Sequence, residues 1–204
     1  MTNVREPHIT IIAGPNGVGK STLAPRLMAE FGTPAFLNAD EIAKALMPDD
    51  PAAAAVAAGR IMHRRIQDAL ERRESFALET TLSGLSLRNS IVRLQQADYF
   101  VRLVFLWVPS PEVNVQRVRI RVQMGGHFVP DEDVRRRFGR AIFNFERVYR
   151  RMVPFWRVYD ARMAGDLPLI AHGAGDIVRE IYDVIAWRRL QAQAAAAYPG
   201  GRDA

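Results

Sequence analysis

A chain of 204 residues, 49% hydrophobic and 25% charged, has the length and balance of one globular domain with a sizeable core. It has no cysteine, which excludes disulfides and thiolate metal sites, and its four histidines lack ligand spacing, which disfavours zinc. Its apolar runs are too short to span a bilayer and no signal-peptide pattern opens it, so a cytoplasmic enzyme is the expectation.

The charge is unevenly placed. Residues 117–151 hold ten arginines and four acids, and so account for the whole net charge of +6. A local positive field favours an anionic ligand. Only two lysines occur, Lys20 and Lys44, in a chain that otherwise uses arginine.

In chain order, His8–Ala13 is a β-branched run that reads as a buried strand ending at Gly14. Lys20–Phe31 follows as a helix, with Pro25 in its first turns. A short strand is predicted over 34–38, then a helix over 40–46 with Asp40 or Ala39 near its N-cap. The alanine- and arginine-rich stretch 51–73 predicts a long helix, 75–79 a third strand and 85–97 a helix. Phe100–Val108 is nearly continuously apolar, as a central parallel strand should be. Pro111–Gln123 is helical with proline in its first turn, and Gly125-Gly126 ends it. A further helix runs from Asp131 to about Arg151. Residues 156–159 and 167–171 read as a strand pair or edge strands, 176–193 as a closing helix. The alternation predicts an α/β fold, a P-loop NTPase kinase-like three-layer architecture with a central mostly parallel sheet and a helical arginine-rich lid. It comprises one domain over 1–194, with the lid at about 117–140 and a frayed tail at 195–204.

Gly14-Pro15-Asn16-Gly17-Val18-Gly19-Lys20-Ser21 matches G-x-x-x-x-G-K-[ST] in full, between a predicted strand and a predicted helix. Glycines let backbone N–H groups turn inward around phosphate oxygens, and the helix start aims its positive end at the same anion. Lys20 is expected to reach the β- and γ-phosphates, Ser21 to ligate Mg²⁺, and Thr22 to contact a phosphate. In open α/β sheets ligands collect at the carboxyl ends of strands, where Asp40 and Glu79 stand. A kinase needs a carboxylate to orient the acceptor hydroxyl and take its proton, and Asp40, Glu79, Thr80, Thr81 and Ser83 supply that inventory. Glu79 is alternatively a Walker-B-like ligand of Mg²⁺ or water, and Asp40 a plain helix cap. The strand over 100–108 ends in Pro109-Ser110 rather than an acid, which disfavours motor ATPases.

Arg117, Arg119 and Arg121, then Gly125-Gly126-His127-Phe128-Val129-Pro130, then Arg135-Arg136-Arg137 have the form of a lid closing over the γ-phosphate. Arg121 and Arg136 are the foremost candidates, followed by Arg137 and Arg140. Consecutive arginines point different ways on a helix, so one or two of the 135–137 run should enter the site. His127 is positioned to bond a phosphate or a substrate group.

These parts in combination resemble the zeta toxin family of P-loop kinases. GPNGVGKST, NAD ending at Asp40, ETTLSG from Glu79, and R-x-x-x-G-G-H-x-V-P with its arginine run recur in family order over about residues 8–150. The GGH pattern is that of the family's short branch. The resemblance implies a fold like nucleotide and shikimate kinases, with ATP or GTP and Mg²⁺. It implies phosphorylation of the sugar 3′-hydroxyl of UDP-N-acetylglucosamine. It also makes Asp40 the general base and Lys20 the phosphate lysine, has lid arginines stabilise transfer, and brings an antitoxin as candidate partner. A kinase for another hydroxyl (a nucleoside, an antibiotic or an RNA end) and a nucleotide-dependent regulatory ATPase are the alternatives. No aromatic–basic interleaving of an RNA-binding sheet is present, which disfavours nucleic acid.

Overall fold

The run HITIIA forms β1 (His8–Ala13), every residue of which is buried. In the computed structural model the described residues are 6–50, 53–126, 128–163 and 166–197. After β1 come α1 (Lys20–Phe31), β2 (Ala35–Leu37), α2 (Ala39–Leu46), α3 (Ala55–Glu71), β3 (Phe76–Thr80), α4 (Leu87–Gln96) and β4 (Phe100–Trp107). Then follow α5 (Pro111–Gln123), α6 (Asp131–Asn144), a π-helical turn (Phe145–Tyr149), α7 (Arg150–Met152) and β5 (Phe155–Asp160). The last elements are β6 (Leu169–Ala174), β7 (Ile177–Ile181) and α8 (Val184–Ala196). The strands form one sheet in the order β2-β3-β1-β4-β5-β6-β7. Pairing is parallel through β5 and antiparallel beyond it.

Alternation along β5 shows how the helices are layered. Phe155 meets Phe31 of α1 edge-on at 5.9 Å. Trp156, pointing to the opposite face, stacks on Trp187 of α8 at 5.7 Å and meets Phe145 of the π-turn at 6.0 Å. Successive strand side chains point to opposite faces, so α1 covers one face and α8 with the π-turn the other. The three-layer α/β fold read from the sequence is the fold observed.

Two expectations need correction. The segment 176–193 is not one helix: Ile177–Ile181 is the edge strand β7, and α8 starts only after Asp183, whose side chain accepts from the Ala186 N–H at 2.9 Å. Gly175, at φ +53, turns the chain out of β6 and into β7. The N-cap of α2 is Asn38 rather than Asp40 or Ala39. The strand over 156–159 proves interior, between β4 and β6. Helix α8 runs two residues past the expected boundary at 194, while residues 198–204 of the expected tail lie outside the described residues.

Candidate functional site

The strand order reverses at β1, with β3 on one side and β4 on the other, so a crevice opens at its carboxyl end. Residues 14–19 leave β1 there and turn into α1. The Gly14 N–H is bonded to the Thr80 carbonyl at 3.2 Å, which ties the loop to the end of β3. Gly17 sits at φ +77, and a Cβ there would lie 2.6 Å from the Asn114 carbonyl oxygen of α5. Both backbone conformation and space therefore require glycine at this position.

Lys20 is 6% exposed. Its Nζ donates to the Pro15 carbonyl at 3.1 Å and lies 3.8 Å from Glu79 Oε1. Burial pushes the Lys20 ammonium below its ordinary value against the pull of Glu79. Arg121 adds to the lowering, and Asp40 opposes it. One lysine thus feels both candidate carboxylates and one candidate lid arginine.

Glu79 is a hub. Its Oε2 accepts from Ser21 Oγ at 2.7 Å and from Asn38 Nδ2 at 3.1 Å. Register alone brings it here, since Glu79 is paired with Ile12 near the end of β1. Asp40 is exposed on the first turn of α2, held by the Asn38 Oδ1 acceptor that takes its N–H at 2.8 Å. The cap is Asn38, so Asp40 is not occupied as one.

Thr80 ends β3, and Thr81 and Ser83 lie in the turn after it. Thr81 Oγ1 and Ser83 Oγ are 2.9 Å apart, and Thr80 Oγ1 accepts the Leu82 N–H at 3.1 Å. Leu82 is a buried leucine at φ +53, a strained conformation for a branched side chain. Two groups distant in sequence hold the turn. Asn144 Nδ2 donates to the Leu82 carbonyl at 2.7 Å, and the Tyr149 hydroxyl to the Gly84 carbonyl at 2.7 Å.

The arginines divide. Arg121 lines the cavity around the phosphate loop. A Cβ at Gly126 would lie 2.6 Å from Arg121 Cγ, so the second glycine lets the chain close against that side chain. Arg136 does not reach the cavity: it is 55% exposed and bonded to Asp133 at 2.7 Å. Arg137 lies 3.8 Å from the same Asp133, Arg135 pairs with Glu112 of α5 at 2.9 Å, and Arg119 pairs with Asp131. Arg140 is exposed on α6. His127 lies outside the described residues. Arg117, read from the sequence as a lid arginine, instead donates to the carbonyls of Val18 at 3.2 Å, Ala161 at 2.9 Å and Arg162 at 2.6 Å. It clamps α5 to the phosphate loop and to the turn after β5. Asn38 and Asn144 were missed. For Asn38 a signal existed, an asparagine directly before a helix whose first turn is acidic.

Gly17 to Thr22, Glu79, Arg117 and Arg121 surround a cavity of about 340 Å³, with Ala161 on its wall. A larger cleft, about 550 Å³, runs along α1 from Ser21 to Phe36, but Glu41 is its only charged lining group. The smaller one gathers Lys20, Ser21, Glu79, Arg117 and Arg121. Among the described residues no three acids or histidines cluster as a self-sufficient metal cage. The Ser21–Glu79 pair suits magnesium, which keeps waters and phosphate ligands and needs few protein ones. The buried Asn16 Oδ1 has no hydrogen-bond partner among the described residues.

A family model describing an AAA domain matches residues 9–144. The chain belongs to the AAA domain family. The match runs from the second residue of β1 to the end of α6, and hence over every residue named above around the phosphate loop except Ala161 and Arg162. An uncharacterised protein of Haemophilus influenzae is 31% identical over 125 residues, 61% of this chain and 88% of that protein. Among solved structures, one from the PezAT chromosomal toxin-antitoxin system of Streptococcus pneumoniae superposes with a TM-score of 0.66. It is 16% identical, over 94% of this chain and 86% of that one. The AvrRxo1-ORF1:-ORF2 structure with ATP gives a TM-score of 0.69 at 13% identity, over 94% of this chain and 65% of that one. At such identities these likenesses speak for the fold, which is P-loop kinase-like.

Proposed function

We propose that this AAA domain protein moves the γ-phosphoryl group of ATP, or of GTP, to a hydroxyl of a small molecule, and that the acceptor is a UDP-activated amino sugar such as UDP-N-acetylglucosamine. The observation that carries the reading is that Lys20 and the Ser21–Glu79 pair meet at one end of the sheet and are joined through Asn38 to the first turn of α2, which bears Asp40. A nucleotide switch needs the first two and has no use for Asp40. Lys20 and the N-terminus of α1 hold the β- and γ-phosphates. Asp40 orients the acceptor hydroxyl and takes its proton as the new O–P bond forms and the bond to the departing ADP breaks. Arg121 faces the charge that spreads over the transferring group. Magnesium, held at Ser21 and Glu79, would neutralise phosphate charge.

The family match and the kinase-like fold support the reading. Two neighbours are described as a toxin-antitoxin system and as a complex with ATP. From the sequence resemblance, the proposal includes membership of the short, GGH-lid branch of zeta toxins, with His127 and residues 80, 81 and 83 serving the acceptor. It also includes an antitoxin partner, a cytoplasmic setting, and one domain that extends through α8 with its lid at 117–140. Labelled ATP offered with a panel of UDP-sugars, nucleosides and RNA ends tests it. Label is expected on a UDP-sugar, and Asp40→Asn should cut transfer by about a thousandfold while ADP affinity stays within a few fold. Label on RNA alone, or full transfer by the variant, rejects the acceptor or the base respectively.

A further inference from the structure

The side chain of Asn38 joins the two halves of the proposed reaction. It is 7% exposed, between β2 and α2, with extended backbone at φ −131. Its Oδ1 accepts the Asp40 N–H at 2.8 Å and, more loosely, the Glu41 N–H at 3.4 Å. Its Nδ2 donates to Glu79 Oε2 at 3.1 Å, the same oxygen that accepts a hydrogen bond from the Ser21 hydroxyl. Both ends of the amide are used, and the partners fix which end is which: N–H groups require the oxygen, a carboxylate the nitrogen.

Helix caps are supplied by serine, threonine, aspartate and asparagine. A cap here needs only an acceptor, so the Glu79 contact selects among these four. Aspartate offers no donor and sets a second carboxylate against Glu79. Serine and threonine have a single hydroxyl proton on a shorter side chain. Asparagine alone supplies an acceptor to the helix and an N–H to the carboxylate at once.

We propose that Asn38 is a positioning residue that sets the Asp40-bearing turn of α2 against the Ser21–Glu79 pair. It acts on the donor side by holding Glu79 toward the Ser21 hydroxyl, and on the acceptor side by fixing the first turn of α2. The inference rests on the reading of Ser21 with Glu79 as the magnesium side and of Asp40 as the base.

Three variants separate the two contacts. Asn38→Asp and Asn38→Ser keep a cap and lose the Glu79 donor, and Asn38→Ala loses both. The measurement is calorimetric binding of ADP with magnesium and with EDTA, alongside thermal unfolding. In the wild type magnesium should tighten ADP. In Asn38→Ser and Asn38→Asp that tightening should shrink about tenfold, as loss of a charge-assisted hydrogen bond predicts. ADP affinity in EDTA should stay within about twofold. Asn38→Ser should melt close to the wild type and Asn38→Ala lower, as cap loss requires. With the acceptor in hand, Asn38→Ala should lower kcat beyond Asn38→Ser with no further change in magnesium-dependent affinity. An unchanged magnesium effect in Asn38→Ser and Asn38→Asp overturns the role of Asn38. A wild type without any magnesium effect overturns the Ser21–Glu79 reading instead, so the two failures are distinct.

Discussion

Lys20 and Arg136 are cations that the sequence sets beside the same expected phosphate, yet they end in different surroundings. Lys20 is buried, bonded to its own loop and flanked by Glu79. Arg136 is half exposed and paired with an acid three residues away on its own helix. The difference lies in what fixes each side chain. Around the phosphate loop, the backbone does the positioning: glycine torsions, a strand end and a helix start leave Lys20 one place to go. Along α6 the backbone is an ordinary helix, and each arginine takes the acid within reach, Asp133 for Arg136 and Arg137, Glu112 for Arg135. Such exposed pairs are worth little, about 0–1 kcal/mol, and are easily exchanged for another partner.

Replacing Lys20 should have the largest effect. Lys20→Met is expected to lower transfer about a thousandfold, since a preorganised charge aimed at the transferring group is lost. It should not lower the melting temperature, because removing a buried ammonium also removes its desolvation cost. Transfer within tenfold of the wild type would break the contrast with the lid. Next come the two arginines. Arg121→Ala should lower kcat about a hundredfold, and Arg136→Ala less than about threefold. Equal losses would mean that Arg136 leaves Asp133 and turns inward during turnover. The smallest effect is one of pH. Burial lowers the Lys20 pKa from 10.5, so in the window between that lowered value and 10.5 the unfolded chain holds the proton and the folded one releases it. The protein without nucleotide should therefore gain stability as pH rises through the window, while nucleotide affinity, which needs the ammonium, should fall. Calorimetric titration and thermal melts across alkaline pH check the opposed signs. The trend in stability should be carried by the difference between the wild type and Lys20→Met, because the buried tyrosines whose pKa is raised titrate in both.

The same contrast explains what the sequence made legible. Elements set by local chemistry were readable: β1, α1 and α5 have the bounds expected from their apolar runs, Pro111 and the glycines after Gln123. The phosphate loop and the strand-end carboxylates were readable because strand order turns spacing into proximity. The segment after Gly175 was not, because Ile177, Ile181 and Ile185 recur at helical spacing and hide a strand followed by an Asp183 cap. Which arginine meets the cavity was not readable either. Arg121 and Arg136 look alike in sequence, and only the close approach of Gly126 and the position of Asp133 distinguish them. Arg117 and Asn144 act on carbonyl oxygens 99 and 62 residues away, contacts that no local pattern encodes.

The clamp made by Arg117 has a mechanical side. Arg117 ties α5 to Val18 and to the turn after β5, and one turn earlier Asn114 lies against Gly17 with no room for a Cβ. The base of α5 is thereby bolted to the phosphate loop at two levels. Under the proposed lid closure, a helix bolted there keeps Arg121, one turn above the bolt, close to the phosphate loop, and leaves Gly125 and Gly126 after its last turn as the place where the chain can bend.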